Sequence, residues 1–112
     1  MQAAVLNVKL KYYEKDLRLR QEVASKYTKS LEEKEVILPY EDNNATSVWA
    51  QYSVRVKDRD ALQIKLKDLG IPTAVHYPIP LHLQECFKYL GYKKGDFPIS
   101  ELISKEIMSF PM

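Results

Sequence analysis

The most unusual stretch of the chain is residues 76–82, which have the sequence HYPIPLH. His76 and Tyr77 end a predicted strand, the position at which open α/β sheets carry their ligand-binding groups. The two prolines that follow stiffen the loop and fix its direction. The stretch therefore predicts a rim of hydrogen-bonding side chains for a polar ligand. The alternative is a closely packed loop in which His76 is bound to a backbone carbonyl.

No other part of the sequence contains a complete catalytic set. The three glycines fit turns or helix ends rather than a phosphate-binding loop. His76 and His82 have no cysteine or carboxylate at a metal-ligand spacing, so no metal site is predicted. Cys86 follows His82 by four residues, which allows a nucleophile and its base, although a lone cysteine in an apolar helix usually serves packing.

The composition predicts one soluble globular domain, because 46% of the 112 residues are hydrophobic and 29% are charged. The formal net charge of +2 is too small for a dedicated nucleic-acid-binding surface. The uncharged stretches are too short to cross a bilayer, and the first residues lack the pattern of a secretory signal. A single cysteine agrees with a reducing compartment. We therefore expect a cytoplasmic protein without nucleic-acid or membrane partners.

Residues 1–34 are predicted to form one long helix, or two helices turned slightly against each other. Apolar side chains recur at steps of three and four on one stripe, which is interrupted once at Arg20: Ala3, Leu6, Leu10, Tyr13, Leu17, Ala24, Tyr27 and Leu31. The stripe either packs inside the domain or is an exposed surface that contacts another subunit. It begins without a capping residue, which suggests that the chain was cut from a longer one.

A strand, a helix and a second strand are predicted after the helical lead. Residues 47–57 alternate apolar and polar side chains, residues 58–70 have helical periodicity, and residues 71–77 are predicted to extend again. Asp58 lies at the capping position of the helix and Gly70 at its end. The short crossover allows the two strands to run parallel, and an antiparallel arrangement is the alternative.

Two further helices are predicted towards the end of the chain. The first covers residues 83–90 and is closed by Gly91; the second covers residues 98–108. Leucines 62, 66 and 69 should share one face of the preceding helix, and Leu102, Ile103 and Ile107 should face inward from the last one. The sequence thus predicts an α/β fold, a short sheet packed by helices.

Several motifs occur in a fixed order along the chain. They are Gln2-Ala3-Ala4-Val5-Leu6, Trp49-x-x-Tyr52-x-Val54-Arg55-Val56, Arg59-Asp60-x-Leu62, Gly70-Ile71-x-Thr73, His76-Tyr77-Pro78-x-Pro80-Leu81-His82-x-Gln84, Tyr89-x-Gly91, Pro98 with Glu101, and Ser109-Phe110-Pro111-Met112. Together they resemble the C-terminal part of the DegT/DnrJ/StrS family of pyridoxal-phosphate-dependent sugar aminotransferases.

This resemblance implies the small C-terminal domain of a fold-type-I pyridoxal phosphate transferase. Residues 1–34 would be the long connecting helix and residues 35–112 the small α/β domain, a fragment of a larger enzyme. In the family, a preceding large domain carries the lysine that forms the Schiff base. No lysine of this chain lies in that context, so the chain alone is expected to be inactive, with no catalytic or cofactor-binding residue and no bound cofactor.

The resemblance also implies the reaction and its partners. A full-length family member holds pyridoxal phosphate and transfers an amino group, typically from glutamate, to a nucleotide-linked keto sugar. His76 and Tyr77 would be the substrate-binding residues on one wall of a sugar pocket at a homodimer interface. The alternative is a free-standing α/β interaction or regulatory module that kept the fold without catalysis. Nucleic-acid binding through the first helix is a weaker hypothesis, because acidic residues interrupt its basic ones.

Overall fold

Two helices form the first third of the chain in the computed structural model, which describes residues 2–112. Helix α1 spans Gln2–Leu10 and helix α2 spans Tyr13–Leu31. The sequence left open one long helix or two helices turned against each other, and the structure has two helices. The break contains neither glycine nor proline; the amide N–H of Lys11 and that of Tyr12 bond three residues back, which tightens the chain into a turn. Within residues 2–112, no helix is long and apolar enough to span a bilayer.

The sheet has two antiparallel strands, β1 (Tyr52–Arg55) and β2 (Ile107–Phe110). Side chains of β1 alternate between buried and half-buried positions, as the sequence pattern predicts. Two single bridges widen the sheet, one from Ile37 to Arg55 and one from Ala74 to Ser109. The strand predicted over residues 47–57 is therefore shorter than expected, and residues 71–77 contribute one bridge instead of a strand.

β2 corrects the predicted topology. Residues 107–108 were predicted to continue the last helix, but the backbone becomes extended at Ile107, with φ −71° and ψ 136°. β2 then lies between β1 and the segment around Ala74, and both run antiparallel to it. The two predicted strands thus point in the same direction without being neighbours. The short apolar run at the end of the chain fits a helix or a strand equally well, and the ladder with β1 decides between them.

Helix α3 spans Arg59–Asp68 and packs only part of its predicted face. Leu62 and Leu66 pack partly buried against the core, whereas Leu69, which was predicted to share their face, is 75% exposed. Asp58 is the N-cap residue, as predicted, although its side chain makes no capping hydrogen bond. The predicted end at Gly70 is confirmed, because its φ of +76° lets the N–H of Ile71 return to the Leu66 carbonyl at 2.8 Å.

The predicted helix over residues 83–90 is replaced by two 3₁₀ segments, Leu81–Leu83 and Glu85–Leu90, of which the second is closed by Gly91. Helix α4 spans Pro98–Glu106 and begins at a proline, as predicted. Ile103 and Ile107 are partly buried, but Leu102 is 47% exposed and does not face inward. Because α4 ends two residues early, its inner face is shorter than the sequence pattern suggested.

The core lies where α2 crosses the sheet. Tyr27 packs its ring 5.1 Å from Tyr52 and 5.4 Å from Phe110. The loop before β1 is tied to the same helix, since Arg20 Nη1 donates to the Trp49 carbonyl at 2.9 Å. The buried hydrophobic residues are Ala24, Trp49, Tyr52, Val54 and Met108.

A buried arginine holds the junction between α4 and β2. Arg59 is 7% exposed, and its Nη1 donates to the carbonyls of Ser104 (3.3 Å) and Ile107 (3.0 Å). These carbonyls lie at the helix end, where backbone acceptors have no partner within the helix. The side chain therefore satisfies the end of α4 and stabilises the change to extended backbone, while Asp60 pairs with its charge.

Candidate functional site

The segment before His76 is anchored to β2 through its backbone. The N–H of Ala74 donates to the Ser109 carbonyl at 3.1 Å, and the N–H of Ser109 donates to the Ala74 carbonyl at 2.8 Å. This pair fixes the chain two residues before His76. The peptide bond between His76 and Tyr77 is cis. The first predicted site residue thus starts from a fixed point on the sheet.

The His76 ring contacts a hydroxyl rather than a carbonyl. Its Nδ1 lies 3.4 Å from Ser109 Oγ, a long hydrogen bond, and Ser109 Oγ lies 2.8 Å from Ser53 Oγ on β1. Ser109 is 4% exposed. The register of the sheet places Ser53 opposite Ser109, so the two hydroxyls meet on one face of the ladder. A row of three side chains, His76–Ser109–Ser53, therefore crosses the end of the sheet.

His76 and Tyr77 line the same groove, which has a volume of about 620 Å³. Its lining consists mainly of apolar side chains from the proline-rich loop, from α4 and from the residues that flank α4, including Ile79, Leu81, Phe97, Ile99, Ile103 and Ile107. Tyr77 is 71% exposed at the rim, with its ring edge-on to His76 at 5.8 Å. His76 also lines a second cavity of about 310 Å³ on its other side, together with Arg20 and Thr73. The structure therefore brings both predicted residues to one concave surface.

His82 serves a different purpose from His76. It is 9% exposed, its Nε2 lies 3.0 Å from Glu101 Oε1, and its ring lies 4.8 Å from that of Phe97. Glu101 Oε1 also accepts the N–H of Gly95 at 2.7 Å. The contacts tie the loop after Gly91 to α4. The sulfur of Cys86 lies 3.9 Å from Gln84 Oε1, so His82 is engaged by the carboxylate and not by the thiol.

These contacts alter the acidity of one carboxyl group. The hydrogen bond from the Gly95 N–H is the main reason that the pKa of Glu101 lies below its ordinary value, and the contact with His82 adds to the effect. Desolvation opposes both. Glu101 is therefore held as a carboxylate that pins the loop bordering the groove.

Ser53 and Ser109 are the residues that the sequence reasoning missed. A serine in a strand gives no periodic signal, because its small polar side chain fits either face of the sheet. Ser109 belongs to the Ser109-Phe110-Pro111-Met112 motif, which was the one available signal. Within residues 2–112, no group of three or more side chains suited to a metal ion comes together.

The groove does not by itself fit pyridoxal phosphate. Lysine and arginine are missing from its lining, and the one charged side chain there, Asp96, would repel a phosphate. A Schiff base needs a lysine amine, and phosphate binding needs cationic or N–H donors. Residues outside this groove would have to supply the lysine.

The fold matches that of an aminotransferase of known structure. The model of the DegT/DnrJ/EryC1/StrS aminotransferase family matches residues 1–112. The chain belongs to this family, and its fold class, a short sheet packed by helices, is confirmed.

Among its relatives, the chain is 44% identical to a pleiotropic regulatory protein of Geobacillus stearothermophilus, over all of this chain and 31% of that one. It is 41% identical to the UDP-2-acetamido-2-deoxy-3-oxo-D-glucuronate aminotransferase of Pseudomonas aeruginosa, over all of this chain and 30% of that one. Among solved structures, DesV of S. venezuelae in complex with a ketimine intermediate matches with a TM-score of 0.96 and 31% identity, over all of this chain and 30% of that chain. The chain thus spans about 30% of the length of these relatives.

Proposed function

We propose that the chain is the C-terminal domain of a pyridoxal-phosphate-dependent nucleotide-sugar aminotransferase that moves an amino group from glutamate to a keto sugar. Support comes from the family match over residues 1–112 and from a relative named for its action on a UDP-linked keto sugar. Residues 1–34 would connect this domain to the rest of the enzyme, and residues 35–112 would form the small domain.

The observation that carries the proposal is the placement of His76 and Tyr77 on one groove. In the full enzyme these side chains would form part of the wall of the sugar pocket. Sugars present several hydroxyl groups, which imidazole and phenol groups can bind by donating or accepting. The apolar lining beside them would contact the carbon faces of the sugar and exclude water.

The cofactor and the partner subunit belong to the same proposal. Since the groove lacks a lysine, we assign pyridoxal phosphate to a part of the enzyme beyond these 112 residues. The active site would lie at a homodimer interface, so that this wall serves a shared pocket. A cytoplasmic location rests on the lone Cys86.

The substitution His76→Ala in the full-length enzyme tests the sugar-pocket role. A lost hydrogen bond to a neutral hydroxyl costs about 0.5–1.5 kcal/mol, so the KM for the sugar should rise between about two- and tenfold. The half-reaction with glutamate should change much less. Each half-reaction is followed separately by the absorbance of the cofactor.

His82→Ala is the matched control, because the same residue type is buried against Glu101 away from the groove. We expect this variant to lose thermal stability and to affect both half-reactions in proportion. If His76→Ala behaves in the same way as His82→Ala, His76 is a packing residue and the assignment is wrong.

The isolated chain should form no specific adduct with pyridoxal phosphate. It is mixed with the cofactor, reduced with borohydride and analysed by mass spectrometry of its peptides. Scattered, low-level labelling of exposed lysines agrees with the proposal. A stoichiometric adduct on a single lysine contradicts it, because the cofactor site would then lie within these residues.

A second candidate is a free-standing interaction or regulatory module without catalysis. The name of the relative from Geobacillus stearothermophilus, a pleiotropic regulatory protein of which this chain covers 31%, favours the regulatory role. The two candidates differ in the genomic reading frame. An upstream segment with a cofactor-binding lysine favours the enzyme, and a start codon at Met1 with no such segment favours the module.

A further inference from the structure

The two ring nitrogens of His76 have different environments. Nδ1 contacts Ser109 Oγ at 3.4 Å, whereas Nε2 has no hydrogen-bond partner among residues 2–112. No fully buried side-chain nitrogen or oxygen in this part of the chain lacks a partner. Nε2 must therefore reach the surface, and His76 lines two cavities there. One nitrogen is held by the protein, and the other is open to a ligand.

Ser109 restrains His76 in two ways. Its backbone pairs with Ala74, which fixes the chain before the histidine, and its hydroxyl contacts the ring. Ser53 Oγ, at 2.8 Å, provides the second hydrogen bond of that hydroxyl. Because Ser109 is almost fully buried, its hydroxyl depends on these two neighbours and keeps a narrow range of orientations.

A hydroxyl partner suits a histidine that binds a ligand. Whether the free nitrogen of an imidazole donates or accepts is set by the bond that the other nitrogen makes. A carbonyl or carboxylate at Nδ1 would impose one tautomer, but a hydroxyl can donate or accept. The Ser53–Ser109 pair can therefore reverse the direction of its hydrogen bonds and keep the ring in place when Nε2 changes its role.

We propose that Ser109, supported by Ser53, is a positioning residue that holds the His76 ring at Nδ1 and leaves Nε2 to contact the sugar. The contact with the sugar rests on the proposed function, whereas the restraint at Nδ1 does not.

Nitrogen NMR of the 112-residue chain tests the restraint directly. The chain has two histidines, so ¹⁵N-histidine labelling yields two ring spin systems, and His76→Gln assigns them. Ser109→Ala should move the Nδ1 resonance of His76 towards that of a free imidazole and alter its tautomer ratio. Ser53→Ala should produce a smaller shift in the same direction, and Ser53→Thr, which keeps the hydroxyl, should retain the wild-type signal.

Ser104→Ala is the matched control, because Ser104 is buried to a similar degree but bonds to the Glu101 carbonyl. It should leave the His76 signals unchanged. A folded Ser109→Ala chain with unchanged His76 signals overturns the proposal. If the fluorescence of Trp49 shows that the Ser109→Ala chain is unfolded, Ser53→Ala is used in its place. Unchanged His76 signals in a folded Ser53→Ala chain then overturn the proposal.

Kinetics of the full-length enzyme test the contact at Nε2. Ser109→Ala should raise the KM for the sugar by up to about tenfold, with a smaller change in the glutamate half-reaction. A shifted NMR signal with an unchanged KM would overturn the contact with the sugar. A wild-type enzyme without aminotransferase activity would overturn the proposed function, and the NMR result would still decide the restraint at Nδ1.

Discussion

The two halves of the N-terminal helical region have opposite environments, although one apolar stripe runs through both. α1 has no buried residue, and Leu6 and Leu10 are 60% and 64% exposed. In the second half of α2, by contrast, Ala24 is buried and Tyr27 packs between two aromatic rings of the sheet. The same apolar face is therefore exposed to solvent in α1 and buried in the core in the second half of α2.

The difference shows what an apolar stripe can specify. The stripe indicates that one face of the helix needs an apolar partner, but the partner must come from elsewhere in the fold. The sheet is only four residues long, and it meets α2 near Ala24 and Tyr27. α1 extends beyond it and is left with exposed valines and leucines. A helix this apolar is usually covered.

Removing a core aromatic should produce the largest effect. Tyr52 is fully buried between Tyr27 and Trp49, and its hydroxyl lies 2.9 Å from Thr28 Oγ1. Tyr52→Ala should lower the free energy of unfolding by about 3–5 kcal/mol, a large part of the stability of a small domain. Tyr40→Ala is the control, because Tyr40 is 85% exposed and its loss should cost less than about 0.5 kcal/mol. Urea unfolding monitored by Trp49 fluorescence measures the free energy of unfolding of both variants. Equal losses of this free energy in Tyr52→Ala and Tyr40→Ala would contradict the comparison.

The exposed face of α1 should cause the isolated chain to associate with itself. Sedimentation over a wide range of concentrations measures the dimer dissociation constant. Leu6→Lys combined with Leu10→Lys should raise that constant at least about tenfold, because each leucine contributes apolar area to the contact. Asn7→Lys adds charge to the same helix off the stripe and should have less effect. A wild-type chain that stays monomeric at the highest concentration would show that α1 needs a different partner.

The contact of Glu101 with Gly95 and His82 should give a smaller, pH-dependent effect. The pKa of Glu101 is lowered in the folded chain, chiefly by the Gly95 N–H, from an ordinary value of 4.5. A carboxyl group with a lowered folded pKa stabilises the fold above its unfolded pKa, and the stabilisation is lost as the pH falls through the folded pKa. Thermal unfolding should therefore show a loss of stability below pH 4.5.

Glu101→Gln should reduce that acid sensitivity, because the amide does not titrate. Glu85→Gln is the control, since Glu85 is 82% exposed and pairs with Lys88 on the surface. It should leave the dependence on pH close to that of the wild type. Identical acid profiles for all three chains would show that other carboxyl groups govern the loss.

The sequence predicted the local features well and their contacts less well. The end of α3 at Gly70 and the start of α4 at Pro98 follow from the backbone preferences of those residues, which act wherever the chain goes. The strand β2 was missed, because a short apolar run satisfies a helix or a strand. His76 and Tyr77 share a groove, but their role in binding stays a prediction.

The sequence by itself determined the family, the turns at Gly70 and Gly91, and the helical stripe, which the structure has in α1 and α2. These properties depend on residue types and on neighbours a few positions away. Tertiary structure alone decided which half of the stripe is buried, that β2 separates the two predicted strands, and that Ser53 and Ser109 meet at His76. Ser53 and Ser109 are 56 residues apart in the chain. Such contacts form because the hydrogen bonds of the sheet and the packing of α2 bring distant segments together, and no local pattern encodes that distance.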